Sequence, residues 1–218
     1  MVRIGPPEAE MLLLAVADGL GSAEESHIGS FRVTRQAALH LDQSAEGIHA
    51  ALKAQNEGEL RAIANKAIAS AVGELHLGRE HATTLHVLLV PTDAAIRERV
   101  VFSVGDGGLF VLRGGCWENC TPTGESTLLD TRTEALPHAY SSVKATLLRT
   151  VPGEVLLLGT DGITNPLTQK DPEFARRLAH AWGRPEIPSL SDFLWQAQTR
   201  AKSYDDDRTV ICVWEDEA

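Results

Sequence analysis

Three apolar runs in this chain end at an Asp-Gly step. Residues 11–17 (MLLLAVA) stop at Asp18-Gly19. Val100 to Val104 leads through Gly105 to Asp106-Gly107, and Val155 to Leu158 leads through Gly159-Thr160 to Asp161-Gly162. A short apolar run bounded by a turn signal reads as a buried strand. A carboxylate at the rim of such a strand stands on a rigid scaffold and still reaches water. The glycine beside it lets the backbone turn sharply and lets a metal or its waters come close. A fourth aspartate, Asp206, precedes the last apolar run, Thr209 to Trp214. Hard divalent cations take oxygen ligands of this kind, and carboxylates gathered in one place repel unless a cation neutralises them. One Asp-Gly alone is an ordinary turn. By spacing alone, a metal site and a set of plain turns are equally good readings.

The rest of the chain supplies helices and further strands. Leu60, Ile63, Ala64, Ala67, Ile68, Ala71, Val72 and Leu75 recur at helical spacing, with Asn56 and Glu59 as the N-terminal cap. Ile28, Phe31, Ala38 and Leu41 suggest a helix before it. Thr84 to Val90 (TLHVLLV), Val100 to Val104 and Leu109 to Leu112 read as strands. Gly105 to Gly108 separates the last two at hairpin spacing. Residues 115–153 are polar and mixed and are expected to be mostly loop. Helices are expected at 171–182 and around Phe193, Leu194, Ala197 and Ala201, the second capped by Ser189 or Ser191. Strands joined by tight turns favour antiparallel pairing, and helices grouped between them favour helix layers on sheets. The regular strand–helix alternation of a doubly wound sheet is missing.

Composition narrows the function. The 218 residues carry a net charge of -10, which argues against a nucleic-acid backbone as partner. No apolar run approaches the roughly 20 residues that span a bilayer, so a membrane location is not expected. The first residues make a poor signal peptide, with Glu8 and Glu10 ahead of the apolar run. Three cysteines without framework spacing suit a reducing cytoplasm. Cys116 and Cys120 have no second pair to complete a zinc site, and Cys212 falls in a strand. The eight histidines show no HxxxH or HExxH spacing, and Gly105 to Gly108 lacks the Lys-Ser/Thr of a phosphate-cradling loop. The acidic triplet Asp205-Asp206-Asp207 reads either as a solvated loop or as a cation collector. Trp182, Trp195 and Trp214 are expected to pack in the core or on helix faces.

Five segments, in order, resemble the signature blocks of the PPM-type (protein phosphatase 2C-like) protein serine/threonine phosphatases, bacterial branch. These are Val16-Ala17-Asp18-Gly19-Leu20-Gly21-Ser22, running on to Ser26-His27-Ile28-Gly29-Ser30; Ala82-Thr83-Thr84-Leu85; Ser103-Val104-Gly105-Asp106-Gly107; Leu157-Leu158-Gly159-Thr160-Asp161-Gly162-Ile163-Thr164; and Asp206-Asp207-Arg208-Thr209-Val210-Ile211. The resemblance implies an α+β fold, a four-layer α-β-β-α sandwich of two mostly antiparallel sheets flanked by helices, with residues 1–218 as one phosphatase domain. It implies two Mg²⁺ or Mn²⁺ ions. Asp18 would bridge them, Gly19 would give one its backbone carbonyl, and Asp161 and Asp206 would bind the other. Asp106 would sit at a third, weaker metal position. Water held between such ions is acidified and attacks a phosphoserine or phosphothreonine phosphorus in line. The partners implied are a phosphorylated protein and a cognate serine/threonine kinase.

Two departures bear on activity. Leu20 stands where some members carry a histidine proposed as general acid, so the leaving group takes its proton from water or another group. Members also carry an arginine and an acid in a first strand well before the Asp-Gly turn. Here Arg3 is the sole arginine before Asp18, and Ile4 and Gly5 stand near where the acid falls. The expectation is therefore a domain without the usual first strand and with weak turnover. The alternative reading is a pseudophosphatase, a module of this fold that binds a phosphoprotein or regulator without hydrolysing it.

Overall fold

The computed structural model describes residues 1–122, 134–170, 172–198 and 206–216. The chain divides into two compact units. The first is Met1–Asp106 with Pro122–Arg149; the second is Gly107–Thr121 with Thr150–Ala218.

The first unit holds the strands β1 (Val2–Ile4), β2 (Met11–Val16), β3 (Leu85–Pro91), β4 (Glu98–Val104) and, from the later stretch, β7 (Lys144–Arg149). They form one antiparallel sheet in the order β1-β2-β3-β4-β7. Its helices are α1 (Ser26–Gln43), α2 (Ala45–Lys53) and α3 (Glu57–Leu75). Alternate residues of the sheet, Met11 and Leu13, Leu85, Val87 and Leu89, Val100, Phe102 and Val104, join Val33, Leu41, Ile48, Leu60 and Ile68 of the helices in one buried cluster. The period of two comes from the pleat and the three-to-four spacing from the helix. Asn56 caps α3, accepting a hydrogen bond from the Glu59 N–H at 3.1 Å. Glu57, in the first turn of α3, accepts from the Leu147 N–H at 2.7 Å and the Thr146 hydroxyl at 2.9 Å. That carboxylate satisfies β7, an edge strand whose outer groups would otherwise face solvent.

The second unit holds β5 (Gly108–Arg113), β6 (Cys116–Asn119), β8 (Val155–Gly159) and β9 (Val210–Trp214), antiparallel in the order β6-β5-β8-β9. Its helices are α4 (Asp161–Asn165), which runs on into a π turn at Pro166–Lys170, then α5 (Pro172–Trp182) and α6 (Leu190–Gln198). Phe110, Leu157, Ile163, Phe174, Leu178 and Trp182 form its core. The Trp182 ring stacks on Phe193 at 5.1 Å between centroids and donates from Nε1 to Gln196 Oε1 at 2.7 Å. Trp214 donates to the Trp182 carbonyl at 3.0 Å. These two tryptophans pack as expected, whereas Trp195 is 76% exposed.

The expected hairpin at Gly105 to Gly108 does not form. β4 pairs with β3 and β7, while β5 pairs with β6 and β8, so the chain passes there from one sheet to the other. Gly105, Gly107 and Gly108 have φ of +94°, +100° and +135°. Three left-handed residues in a row of four are not a two-residue hairpin turn. The stretch expected to be mostly loop contains β6 and β7. Both are edge strands, with few buried positions, so the apolar pattern that betrays an interior strand is absent. In α1 the buried stripe is Gly29, Val33, Ala37 and Leu41; Phe31 is 62% exposed under Arg35. Gly29 is the reason. A Cβ there would lie 2.0 Å from the His81 carbonyl oxygen, so the stripe rides on a close approach that apolar spacing does not reveal. The α6 cap is Ser189, which accepts from the Asp192 N–H at 3.2 Å; Asp171 and Ala201 lie outside the described residues.

His49 on α2 is 8% exposed, and its Nε2 is buried with no hydrogen-bond partner among the described residues. Burial first, then the Lys53 charge, holds its pKa below the ordinary 6.5, with Asp93 pulling the other way. The unfolded chain takes up a proton that the folded chain resists. Its contribution to stability is therefore complete above about pH 6.5 and is lost as pH falls from there toward the folded pKa. Urea unfolding at pH 7.5 and 5.5 is expected to show a loss of stability that is smaller in His49→Leu.

Candidate functional site

In the first unit the functional turn is an extension of sheet pairing. The last register pair of β2 with β3 is Val16 with His86. Contact nevertheless continues for four more residues. The Asp18 N–H donates to Thr84 Oγ1 at 3.0 Å, and the Asp18 carbonyl accepts from the Thr84 N–H and the Thr83 hydroxyl, both at 2.8 Å. Gly19 bridges to Thr83, and the Leu20 N–H donates to the Ala82 carbonyl at 2.9 Å. Thr83 and Thr84 are buried, while Asp18 is half-buried. Gly19 has a steric reason to be glycine, because a Cβ there would stand 2.6 Å from the Ser26 side chain at the start of α1.

Asp106 follows the C-terminal end of β4, whose last pair with β3 is Val104 with Leu85. A Cβ on Gly105 would meet the Thr84 methyl at 2.6 Å, so this turn lies against the same threonine that holds Asp18. His86 Nε2 donates to the Asp106 carbonyl at 2.6 Å, and its Nδ1 is 2.7 Å from Ser103 Oγ. A carbonyl can only accept, so the proton sits on Nε2 and Nδ1 accepts from the serine hydroxyl. Burial holds the His86 pKa below its ordinary value, against the opposing pull of Asp106. The first unit thus brings Asp18, Gly19 and Asp106 to one end of its sheet.

The second unit does the same for Asp161 and Asp206. Gly159 of β8 pairs with Val210 of β9. Beyond that pair the Thr160 N–H donates to the Thr209 carbonyl, and the Thr209 N–H donates to Thr160 Oγ1, each at 3.1 Å. Asp161 opens α4 one residue later, with Asn165 Nδ2 donating to its Oδ2 at 3.4 Å. A Cβ on Gly162 would lie 2.2 Å from the Asp207 carbonyl oxygen, so the Asp206–Arg208 segment packs directly on the glycine after Asp161. The Asp207 N–H donates to Asp206 Oδ1 at 2.9 Å, and Arg208 anchors the segment by donating to the Ala197 carbonyl at 2.8 Å. Asp206 is exposed and Asp161 half-buried; Asp205 lies outside the described residues.

The donors gathered in each unit are oxygens, which suits hard divalent cations. Among the described residues no three His, Cys, Asp or Glu side chains stand grouped as a metal-holding set. All three cysteines are free; burial pushes the Cys120 and Cys212 thiols up, which disfavours a thiolate nucleophile. Arg3 lies on β1 opposite Leu12, and its guanidinium is 3.1 Å from Glu10. Six residues of extended chain separate Leu12 from Asp18, roughly 20 Å along the strand. His86 and Ser103 were not among the sequence candidates. The available signal is a histidine inside the apolar run TLHVLLV.

The chain belongs to the protein phosphatase 2C family, whose sequence model matches residues 6–195. Asp206 lies beyond that match, so its place beside Asp161 rests on the β8–β9 pairing. No curated protein matches the chain by sequence. Among solved structures, the serine/threonine phosphatase of S. agalactiae is similar with a TM-score of 0.65 at 14% identity, covering 99% of this chain and 91% of that one. The PstP/Ppp serine/threonine phosphatase of Mycobacterium tuberculosis gives 0.60 at 18%, covering 94% and 88%. A PstP catalytic domain in complex with 2 manganese ions gives 0.57 at 21%, covering 93% and 85%. These likenesses establish the α+β phosphatase fold that the signature blocks implied.

Two substitutions test the described anchors. Thr84→Val removes the acceptor for the half-buried Asp18 N–H and is expected to cost about 1–3 kcal/mol in urea unfolding, with Thr84→Ser close to wild type. Gly162→Ala forces the Asp207 carbonyl away and is expected to speed amide exchange across 206–209.

Proposed function

We propose that this chain is a metal-dependent protein phosphatase that hydrolyses phosphoserine and phosphothreonine in proteins. The observation that carries the reading is that the aspartates of the family's signature blocks stand on backbone-locked turns at strand ends, Asp18 by Thr83 and Thr84, Asp161 by Thr160 and Thr209. Two Mg²⁺ or Mn²⁺ ions, when bound, supply an acidified water and offset charge on the phosphoryl oxygens. Asp18, the Gly19 carbonyl, Asp161 and Asp206 are the proposed ligands, with Asp106 at a third, weaker position. Thr83 and Thr84 hold the backbone from which the Asp18 carboxylate projects. The proposed substrate is a phosphorylated protein, made by a cognate serine/threonine kinase in the cytoplasm. No helix among the described residues is long and apolar enough to cross a membrane.

A second reading is favoured by one observation. Arg3 pairs with Glu10 well along the hairpin from that turn. With Arg3 held there, the paired charge-assisted bonds it would give a phosphate at the Asp18 turn are lost. A phosphoprotein-binding module with little turnover would follow.

The test is hydrolysis of a phosphothreonine peptide with Mn²⁺ and with excess chelator. Turnover is expected with Mn²⁺ alone and is expected to fall by about a hundredfold or more in Asp18→Asn, the scale of losing one electrostatic stabiliser. Equal turnover in chelator would overturn the mechanism. Binding of the phosphopeptide and Mn²⁺ without turnover would favour the second reading. Arg3→Ala is expected to change turnover little.

A further inference from the structure

His86 is fully buried, yet it carries two polar atoms into the sheet and spends both. It faces Ser103 across the β3–β4 ladder in register, and its ring reaches past the end of β4 to the backbone of Asp106. The Ser103–His86 pair has the spacing of a nucleophile and its base. With Ser103 3% and His86 0% exposed, no substrate reaches the hydroxyl, and the third group is a backbone carbonyl instead of an orienting carboxylate. The arrangement serves a different purpose. The Gly105–Gly108 segment has three glycines at positive φ and lies beyond the last β3–β4 pair. Such a segment has wide backbone freedom when nothing fixes it. Beside the packing of Thr84 on Gly105, the imidazole gives this segment one short hydrogen bond, to the residue that carries the carboxylate.

We propose that His86, oriented by the Ser103 hydroxyl, is the positioning residue of the Asp106 turn and sets the affinity of the weaker cation position there. The inference rests on the reading of Asp106 as a metal ligand given above. The neutral ring is locked as its Nε2–H tautomer because Ser103 donates to the other nitrogen. The Nε2–H then holds the Asp106 carbonyl, and with it the direction in which the Asp106 side chain leaves the turn. Positioning groups behind metal ligands have measurable weight; their loss costs roughly 10–100-fold in metal affinity.

The experiment compares wild type, His86→Gln, His86→Leu and Ser103→Ala in the full chain. Three quantities are read: amide hydrogen exchange of residues 104–108 without cation, Mn²⁺ titration by calorimetry, and kcat and KM on a phosphothreonine peptide. Faster exchange at the turn is expected in His86→Leu, with the weaker Mn²⁺ phase weakened about 10–100-fold and the tighter phase unchanged. A lower kcat at unchanged KM should accompany it. His86→Gln, which keeps an N–H donor, is expected to recover much of both effects. Ser103→Ala keeps the ring without its orienting hydroxyl and is expected to loosen the turn partly; it carries the comparison if His86→Leu does not fold. Wild-type exchange at the turn in His86→Leu, or in Ser103→Ala where that stands in, would overturn the inference. So would equal loss of Mn²⁺ affinity in the Gln and Leu variants, which would mark a packing role. A wild-type chain that binds no Mn²⁺ while His86→Leu still loosens the turn would instead overturn the reading of Asp106 as a ligand.

Discussion

The pairing of β2 with β3 does not stop where the strands stop, and the Asp18 turn depends on that. Three hydrogen bonds with Thr83 and Thr84, one donated by Asp18 and two accepted, hold both of its backbone polar groups. A half-buried carboxylate at the end of a strand gains nothing from its position if the backbone beneath it moves. Here the two threonines replace a ladder that would otherwise have ended two residues earlier. The same Thr84 side chain lies against Gly105, so one residue braces the turn before α1 and the turn after β4. A loss at Thr84 would be felt at both aspartates.

The second unit solves the same problem with a different set of bonds. Thr160 and Thr209 exchange hydrogen bonds beyond the β8–β9 ladder, and Gly162 admits the Asp207 carbonyl at a distance no side chain would allow. The acidic segment is held by Arg208 on the Ala197 carbonyl and by the Asp207 N–H on Asp206 Oδ1. If cations bind these turns as proposed, ligand linkage would add stability to the fold.

How much of this was legible in the sequence depended on which physical signal each element sends. β2, β3, β4, β5 and β8 announce themselves as apolar runs because most of their positions are buried. α3 is legible because its apolar residues keep helical spacing and Asn56 caps it. β6 and β7 are not, because an edge strand such as Cys116–Asn119 buries too little to be patterned. The Gly105–Gly108 segment misleads because glycine spacing reports conformational freedom and not which strands it joins. Asp18, Asp106 and Asp161 were visible through their glycines, each with a steric or turn requirement, and Asp206 only through its place before the last apolar run. Their support was less visible. His86 and Ser103 sit opposite one another only through the β3–β4 register, which no local pattern encodes.

The central proposal is that Asp18, Asp161 and Asp206 hold divalent cations. Its most direct test is an anomalous difference map from crystals of this chain grown in millimolar Mn²⁺. The account predicts strong Mn²⁺ peaks within coordination distance of the Asp18, Asp161 and Asp206 carboxylates, with a weaker one at Asp106. A map with no peak on Asp18, or with Mn²⁺ bound only to unrelated surface carboxylates, would contradict it.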